Sequence, residues 1–286
     1  MLNWDDLRLF LEVCRRSKLE DVARECQMDA TTISRRMKRL EHDLSLTLFE
    51  RTRRGHSMTP AGEKISALAE EMESTAFEIV AKGASEQSLS GTIRLGAPEG
   101  LGTTIIAPAL AGFRATHPQI DIDLITLSGF VSVPKRQADM SIMLTRPTAG
   151  RIKVRKLGRY ELYLYGTESY LDAAEPINEL SDLNSHTLIA YTEDLIYSSR
   201  LRYLQDLLPG VSPNLRSPSI IAQMNMIEAG SGIGILPAFM ASKNEKLIRI
   251  LPEFTVEREF WLAIHEDVAG LARIREAIDF LLQLEF

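Results

Sequence analysis

Residues 19–54, LEDVARECQMDATTISRRMKRLEHDLSLTLFERTRR, constrain this chain more than any other segment. Leu19, Val22, Ala23 and Cys26 recur at helical spacing and predict a short helix. Gln27-Met28-Asp29 then forms a turn, with Asp29 as the N-cap of a helix running from Ala30 to about Asp43. That second helix buries Ile33, Met37 and Leu40 on one side and exposes Thr31, Thr32, Ser34, Arg35 and Lys38 on the other. Two helices joined by three or four residues make a helix-turn-helix. Its exposed face has the chemistry to enter a DNA groove: arginine matches guanine O6/N7 and phosphate, and the hydroxyls reach phosphates or base edges. Arg36 and Arg39 enlarge the basic cluster and are counted with it as DNA contacts.

The flanking sequence extends this head in both directions. Leu7, Phe10, Leu11 and Cys14 predict a leading amphipathic helix. Residues 47–50 and 56–59 read as two short strands, and 51–55 between them form a wing tip carrying Arg51, Arg53 and Arg54. Thr59 then caps a long helix with Pro60 in its first position. Ile65, Leu68, Ala69, Met72, Ala76, Ile79 and Val80 lie along one stripe of that helix, and a stripe of this length needs a partner. It can pack on its own domain or against the same helix of a second chain; the second is favoured, because the stripe continues four turns past the head.

Charge first argues against a nucleic-acid partner, since the 286-residue chain carries a net charge of −6. The imbalance is segregated. Residues 1–58 hold 12 Lys and Arg against 10 Asp and Glu, whereas residues 59–286 hold 21 against 29. Local charge decides where phosphate docks, so the basic head remains a DNA-binding candidate. No apolar run approaches the ~20 residues of a membrane span. The N-terminus lacks a secretory pattern, so a cytoplasmic location without membrane partners is expected. Cys14 and Cys26 have no metal or redox spacing and read as small packed side chains.

Residues 82–90 are small and polar and read as a hinge, after which the periodicity changes. Strand-like segments at 92–97, 120–127 and 139–144 alternate with helical patterns near 101–116 and 130–137. A second set follows at 161–165, 187–191, 220–229 (helical) and 234–236, and 260–264 and a helix at 268–284 close the chain. Such alternation predicts an α/β module with a parallel sheet. Pro98-Glu99-Gly100-Leu101-Gly102-Thr103 lies at a strand-to-helix junction, where amide groups can meet an anion and glycines admit a ligand; a plain turn is the equal alternative. Gly230-Ser231-Gly232-Ile233-Gly234 follows a helix and precedes a strand, the wrong order for a phosphate loop. No nucleophile, metal or cofactor constellation emerges from the five scattered histidines or elsewhere.

Taken together, these residues resemble the LysR-type transcriptional regulators over the whole length. The resemblance rests on Leu7-x-x-Phe10, Ala23, Ile33-Ser34-Arg35, Leu40-Glu41, Leu48-Phe49-Glu50-Arg51 and Met58-Thr59-x-Ala61-Gly62. It continues less sharply through Ser90-Gly91-Thr92-Ile93-Arg94, Phe113-x-x-x-His117-Pro118, Ala138-Asp139, Glu228-x-Gly230-x-Gly232-Ile233-Gly234 and Leu236-Pro237. It implies a winged helix-turn-helix over 1–59, a linker and dimerisation helix with hinge over 60–89, and an effector-binding module over 90–286 resembling periplasmic binding proteins. In that module, 90–157 plus 260–286 would form subdomain I and 158–259 subdomain II. Dimers or tetramers assembled through the 60–82 helix, an interrupted palindrome in double-stranded DNA and contact with RNA polymerase belong to the same expectation.

The resemblance also assigns residues. Thr31, Thr32, Ser34, Arg35 and Lys38 become groove or phosphate contacts, and Arg51, Arg53 and Arg54 backbone or minor-groove contacts. One departure stands out: a glutamine common at the start of the reading helix is Ala30 here, so the recognised DNA sequence does not carry over. Because α/β sheets bind ligands at the carboxyl ends of their strands, Glu99, Gly100, Thr103, Ser128, Arg146, Tyr191 and Thr192 are the candidates for an effector cleft between the subdomains. Arg146 could pair with a carboxylate effector or simply serve the surface, while Glu99 would repel an anion unless neutralised. The function expected is regulation of transcription under control of a small molecule, with no cofactor. A regulator without effector response and an α/β enzyme fused to a DNA-binding head remain the alternatives.

Overall fold

Asp29 sets the start of the helix that carries the basic face. In the computed structural model, which describes residues 2–16, 19–52, 55–83, 89–127 and 138–286, its backbone is extended and its carboxylate accepts from the Thr31 amide at 2.8 Å. This satisfies a donor that a helix start leaves unpaired. The chain folds as two compact units, residues 1–86 and 87–286.

In the first unit, α1 (Trp4–Arg16), α2 (Leu19–Glu25) and α3 (Ala30–Leu44) are followed by β1 (Phe49–Thr52), β2 (Gly55–Met58) and α4 (Pro60–Gly83). The predicted stripes pack as one core: Phe10, Leu11, Val22, Ile33, Leu40 and Leu48 are all buried. Ser45, in the left-handed region at φ 54°, ends α3, and its amide bonds the His42 carbonyl at 3.1 Å. Glu41 Oε1 then accepts from the Leu48 and Phe49 amides at 2.7 and 3.2 Å, which ties the entry of the wing to α3. The wing strands reach further toward the tip than expected, pairing antiparallel from Phe49↔Met58 to Thr52↔Gly55. Thr59 caps α4 as predicted, accepting from the Gly62 amide at 2.9 Å.

The first half of α4 belongs to the head. Ala69 is buried in the head core, and Glu73 Oε2 meets Arg15 Nη2 of α1 at 2.6 Å. Within the predicted stripe, Ile65 and Ala69 pack inward, while Leu68 and Met72 are 57% and 47% exposed. Cys14 sits beside this contact, and burial pushes its thiol up to about 12, consistent with an inert packed cysteine.

The second unit is built on one sheet of nine strands. These are β3 (Gly91–Pro98), β4 (Ile120–Leu127), β5 (Met140–Met143), β6 (Ile152–Gly166), β7 (Leu188–Ala190), β8 (Leu215–Arg216), β9 (Ile233–Pro237), β10 (Ile248–Ile250) and β11 (Val256–His265). The order is β4-β3-β5-β11-β6-β9-β7-β8, with β10 also on β6. The helices are α5 (Glu99–Leu101), α6 (Ala107–Thr116), α7 (Glu168–Ala173), α8 (Tyr203–Leu207), α9 (Ile220–Glu228), α10 (Ala238–Ala241) and α11 (Ala272–Leu282); a π-helical turn, Gly102–Ile106, joins α5 to α6.

The parallel sheet expected from alternation needs correction. Pairing is parallel only at the two ends, β4-β3-β5 and β9-β7-β8, and antiparallel through β5-β11-β6-β9. The reason is connectivity: β11 follows β10 through residues 251–255, which hold no crossover helix, and it inserts between β5 and β6. β6 is correspondingly far longer than the 161–165 segment read from the sequence, and the last helix starts at Ala272 rather than 268. The helix expected at 130–137 lies outside the described residues.

β6 and β11 pair along ten residues with a register shift between Phe260 and Trp261. Phe260 faces Gly158 and Trp261 faces Lys156, so Leu157 is bulged out. Tyr160 stacks on Phe260 there with ring centres 4.2 Å apart.

Candidate nucleic-acid interface and ligand cavity

Helical geometry divides the basic residues of α3 into two rows. Thr31, Arg35 and Lys38, spaced four and three apart, form an exposed row opposite the buried Ile33, Met37 and Leu40. One step around the helix, Arg36 and Arg39 turn toward α1. Arg36 Nε lies 2.5 Å from Asp6 Oδ1 and Arg39 Nη2 lies 2.5 Å from Asp6 Oδ2, and the Asp6 carboxylate has no exposed surface. A buried carboxylate needs such partners, because an unpaired charge in the interior is costly. Arg35 and Lys38 have no ion pair among the described residues, which leaves their charge for a ligand.

The second unit contains a cavity of about 210 Å³ at the carboxyl ends of β3 and β5. Ala97 and Pro98, Ser141 to Thr145, and Tyr197 to Ser199 line it. Pro98, Leu144 and Tyr197 also line a narrower space of about 20 Å³ that reaches Glu99, Gly100, Tyr191, Tyr160 and Tyr203. Burial pushes the Tyr197 phenol up to about 12, and the Glu99 charge adds to that. Burial likewise raises Tyr160, Tyr191 and Tyr203, so this wall stays uncharged at neutral pH.

Glu99, at the start of α5, reaches across to α9. Its Oε1 accepts from the Ser219 hydroxyl at 2.8 Å and its Oε2 from the Ile220 amide at 2.9 Å. Ser219 in turn caps α9 through the Ala222 amide at 3.1 Å. A carboxylate at a helix N-terminus is stabilised by the amide groups and the helix dipole.

Two family profiles match the chain: the bacterial regulatory helix-turn-helix protein of the lysR family over residues 4–63, and the LysR substrate binding domain over residues 86–285. The chain belongs to the LysR family of transcriptional regulators. Among its relatives is the probable HTH-type transcriptional regulator LtrA of Klebsiella pneumoniae, 24% identical with 96% of this chain and 93% of that one covered. A full-length OxyR variant of Pseudomonas aeruginosa shares the fold at a TM-score of 0.73 and 17% identity, covering 100% of this chain and 96% of the other. Full-length LysG of Corynebacterium glutamicum with bound effector Arg does so at 0.63 and 19%, with 99% of both chains covered.

Within this LysR-family regulator, several residues assigned from the sequence have different surroundings from those expected. Arg36 and Arg39, expected as DNA contacts, both pair with Asp6 and so tie α3 to α1, with the Arg39 side chain still 53% exposed. Gly100 and Gly102 are closely packed: a Cβ on Gly100 would sit 2.6 Å from Met240 Sδ, and one on Gly102 2.2 Å from Thr126 Cγ2, while Gly100 also lines the narrower space. Arg146, taken as a partner for a carboxylate, lies over the Trp261 ring at 5.5 Å. Glu99, expected to repel an anion unless neutralised, accepts from the Ser219 hydroxyl and the Ile220 amide and so fills the anion position at the start of α9 itself. The Thr103 hydroxyl turns back to the Glu99 carbonyl at 2.7 Å. Tyr191 lines the narrower space, and Thr192 is half-buried beside it in sequence with its carbonyl bonded by the Leu195 amide at 3.0 Å. Thr32 and Ser34 are half-buried on α3. Arg51 belongs to β1, while Arg53, Arg54 and Ser128 lie outside the described residues.

The residues of the larger cavity were missed in the sequence reading. A hint existed in Ser141, a hydroxyl inside the apolar run Met140–Met143, and in the hydroxyl cluster Tyr197-Ser198-Ser199. Only folding brings the two together.

Proposed function

We propose that this LysR-family regulator binds double-stranded DNA in a sequence-specific way as a dimer or tetramer, and that a small molecule bound in the second unit modulates the outcome. In this reading α3 enters the major groove, with Thr31, Thr32, Ser34, Arg35 and Lys38 toward bases and phosphates. Arg51, Arg53 and Arg54 of the wing follow the backbone or the minor groove. The exposed Leu68 and Met72 on α4 pair with a second copy. No helix among the described residues is long and apolar enough to cross a membrane, and the reading places the protein in the cytoplasm with RNA polymerase as a further partner.

The observation that carries the DNA reading is the row Thr31, Arg35 and Lys38, exposed on a capped helix whose opposite side is locked into the head core. The effector reading draws on the cavity at the strand ends and on the bulge where β6 and β11 cross, beside the subdomain boundaries 157/158 and 259/260. LysG, a protein of the same fold, holds Arg as its effector. A ligand that favours one arrangement of the two subdomains would shift the spacing of the paired heads by population shift.

Sequencing the genomic fragments that the purified chain retains tests the reading. An enriched interrupted palindrome supports it, and retention without sequence preference overturns it.

A further inference from the structure

The cavity at the ends of β3 and β5 has a definite chemistry. Ser141 is 3% exposed, lines it, and has no hydrogen bond for its hydroxyl among the described residues. Because Ser141 lines the space, a ligand carbonyl or hydroxyl placed there can take the place of water as the partner of its hydroxyl. Around it, Ala97, Ile142, Leu144 and the Tyr197 ring offer apolar surface, and Thr145 and Ser199 add two hydroxyls. Among the described residues no lysine, arginine or histidine lines the space. Of the arginines near it in sequence or fold, Arg146 lies over Trp261, Arg258 pairs with Asp206, and Arg200, next to Ser199, acts on the Glu259 carboxylate.

The neighbouring helix start offers no seat for an anion either. At the N-terminus of α9, the amide of Ile220 and the hydroxyl of Ser219 are both taken by Glu99, a residue of this chain 120 positions away from Ser219. An incoming carboxylate would lose its hydration, find no cation among the described lining residues, and stand near the Glu99 charge. An uncharged group of the same shape avoids all three costs.

We propose that this cavity takes an uncharged polar molecule, anchored by the Ser141 hydroxyl, and that Glu99 excludes carboxylates by filling the α9 N-terminus. At about 210 Å³ the space equals about seven water volumes of ~30 Å³, room for a body of roughly ten non-hydrogen atoms. The inference rests on reading residues 87–286 as a small-molecule module and adds to it the charge class of the ligand and the residue that sets it.

The test uses the full chain and three pairs of probes that differ only in charge: benzamide and benzoate, nicotinamide and nicotinate, phenylacetamide and phenylacetate. Binding is followed by ligand-observed NMR titration at neutral pH. In at least one pair the amide binds about tenfold more tightly than its acid. Ser141→Ala weakens that amide severalfold, and Glu99→Gln, which keeps the side-chain shape without the charge, narrows the preference by improving the acid. An acid that binds the parent as tightly as its amide overturns the charge class alone and leaves the effector reading standing. Amide binding that is indifferent to Ser141→Ala overturns the site. If none of the six binds at millimolar concentration, the assignment of this cavity to an uncharged polar molecule of this size is overturned, while the effector reading still stands or falls by whether any small molecule changes DNA binding.

Discussion

Asp6 and Arg36, thirty positions apart, join α1 to α3 through a 2.5 Å contact in which the carboxylate is fully shielded from water. The contact gives part of the basic cluster a structural task as well, because Arg36 and Arg39 answer the fully shielded Asp6 carboxylate. Asp6→Ala is expected to destabilise the head by roughly 3 kcal/mol, the low end for breaking a buried ion pair, since Arg39 keeps access to water. Denaturant unfolding of the full chain, followed at the transition of the head, measures this. A change within experimental error would remove the pair from the structural account.

Arg35 and Arg36 are adjacent in sequence and are expected to fail differently. Arg35→Ala should leave the melting temperature unchanged and weaken specific DNA binding by ~1–3 kcal/mol, with relaxed selection at one base position. Arg36→Ala should lower the melting temperature first and DNA affinity only as a consequence. Wing residue Arg53→Ala should weaken all sequences alike and flatten the salt dependence by about one unit. Equal melting temperatures for the two α3 variants would refute the division into rows.

The head was legible in the sequence because its determinants are local. Asp29, Thr59 and the spacing of Ile33, Met37 and Leu40 specify caps and periods within a few residues of where they act. What escaped was non-local. Arg36 looks like Arg35 until α1 supplies Asp6, and the partners of Glu99, Ser219 and Ile220, arrive from 120 residues away. The sheet was misread for the same reason: the alternation of Ile152-Lys153-Val154-Arg155 breaks at Arg155-Lys156 and Gly158, and nothing local says that β11 pairs along these residues. The close packing of Gly100 was equally hidden, since Met240, which an added Cβ would meet, lies 140 residues away.

The α3 cap gives an acid-side signature. Bonds from the Thr31 hydroxyl and amide hold the Asp29 carboxyl below the usual carboxylate range. A lowered folded value means the stabilisation is present above the unfolded value of about 3.9 and is lost as pH falls through the folded one. Asp29→Asn keeps an oxygen that can cap the helix but does not titrate. The difference in melting temperature between parent and variant should therefore shrink as pH is lowered from 5 toward 2. A constant difference across that interval would mean that Asp29 contributes no charge-dependent stability.

Two glycine-to-alanine changes should act with opposite signs. Gly62, in the first turn of α4, lies so close to the wing entry that a Cβ would stand 2.2 Å from the Leu48 carbonyl oxygen. That carbonyl already accepts from the Thr59 amide at 3.0 Å, so it cannot retreat without pulling the cap of α4 apart. Gly62→Ala is expected to cost ~1–3 kcal/mol through overpacking. Gly112, on the exposed side of α6, has nothing within 4 Å of an added Cβ, and its backbone is already helical. Gly112→Ala should therefore stabilise the second unit by about 0.5–1 kcal/mol, the helix-interior difference between the two residues. The two changes lie in different units, so calorimetry of the single and double variants should show one transition falling and the other rising. Movement of both transitions in the same direction would contradict the close approach at Leu48 or the open surface at Gly112.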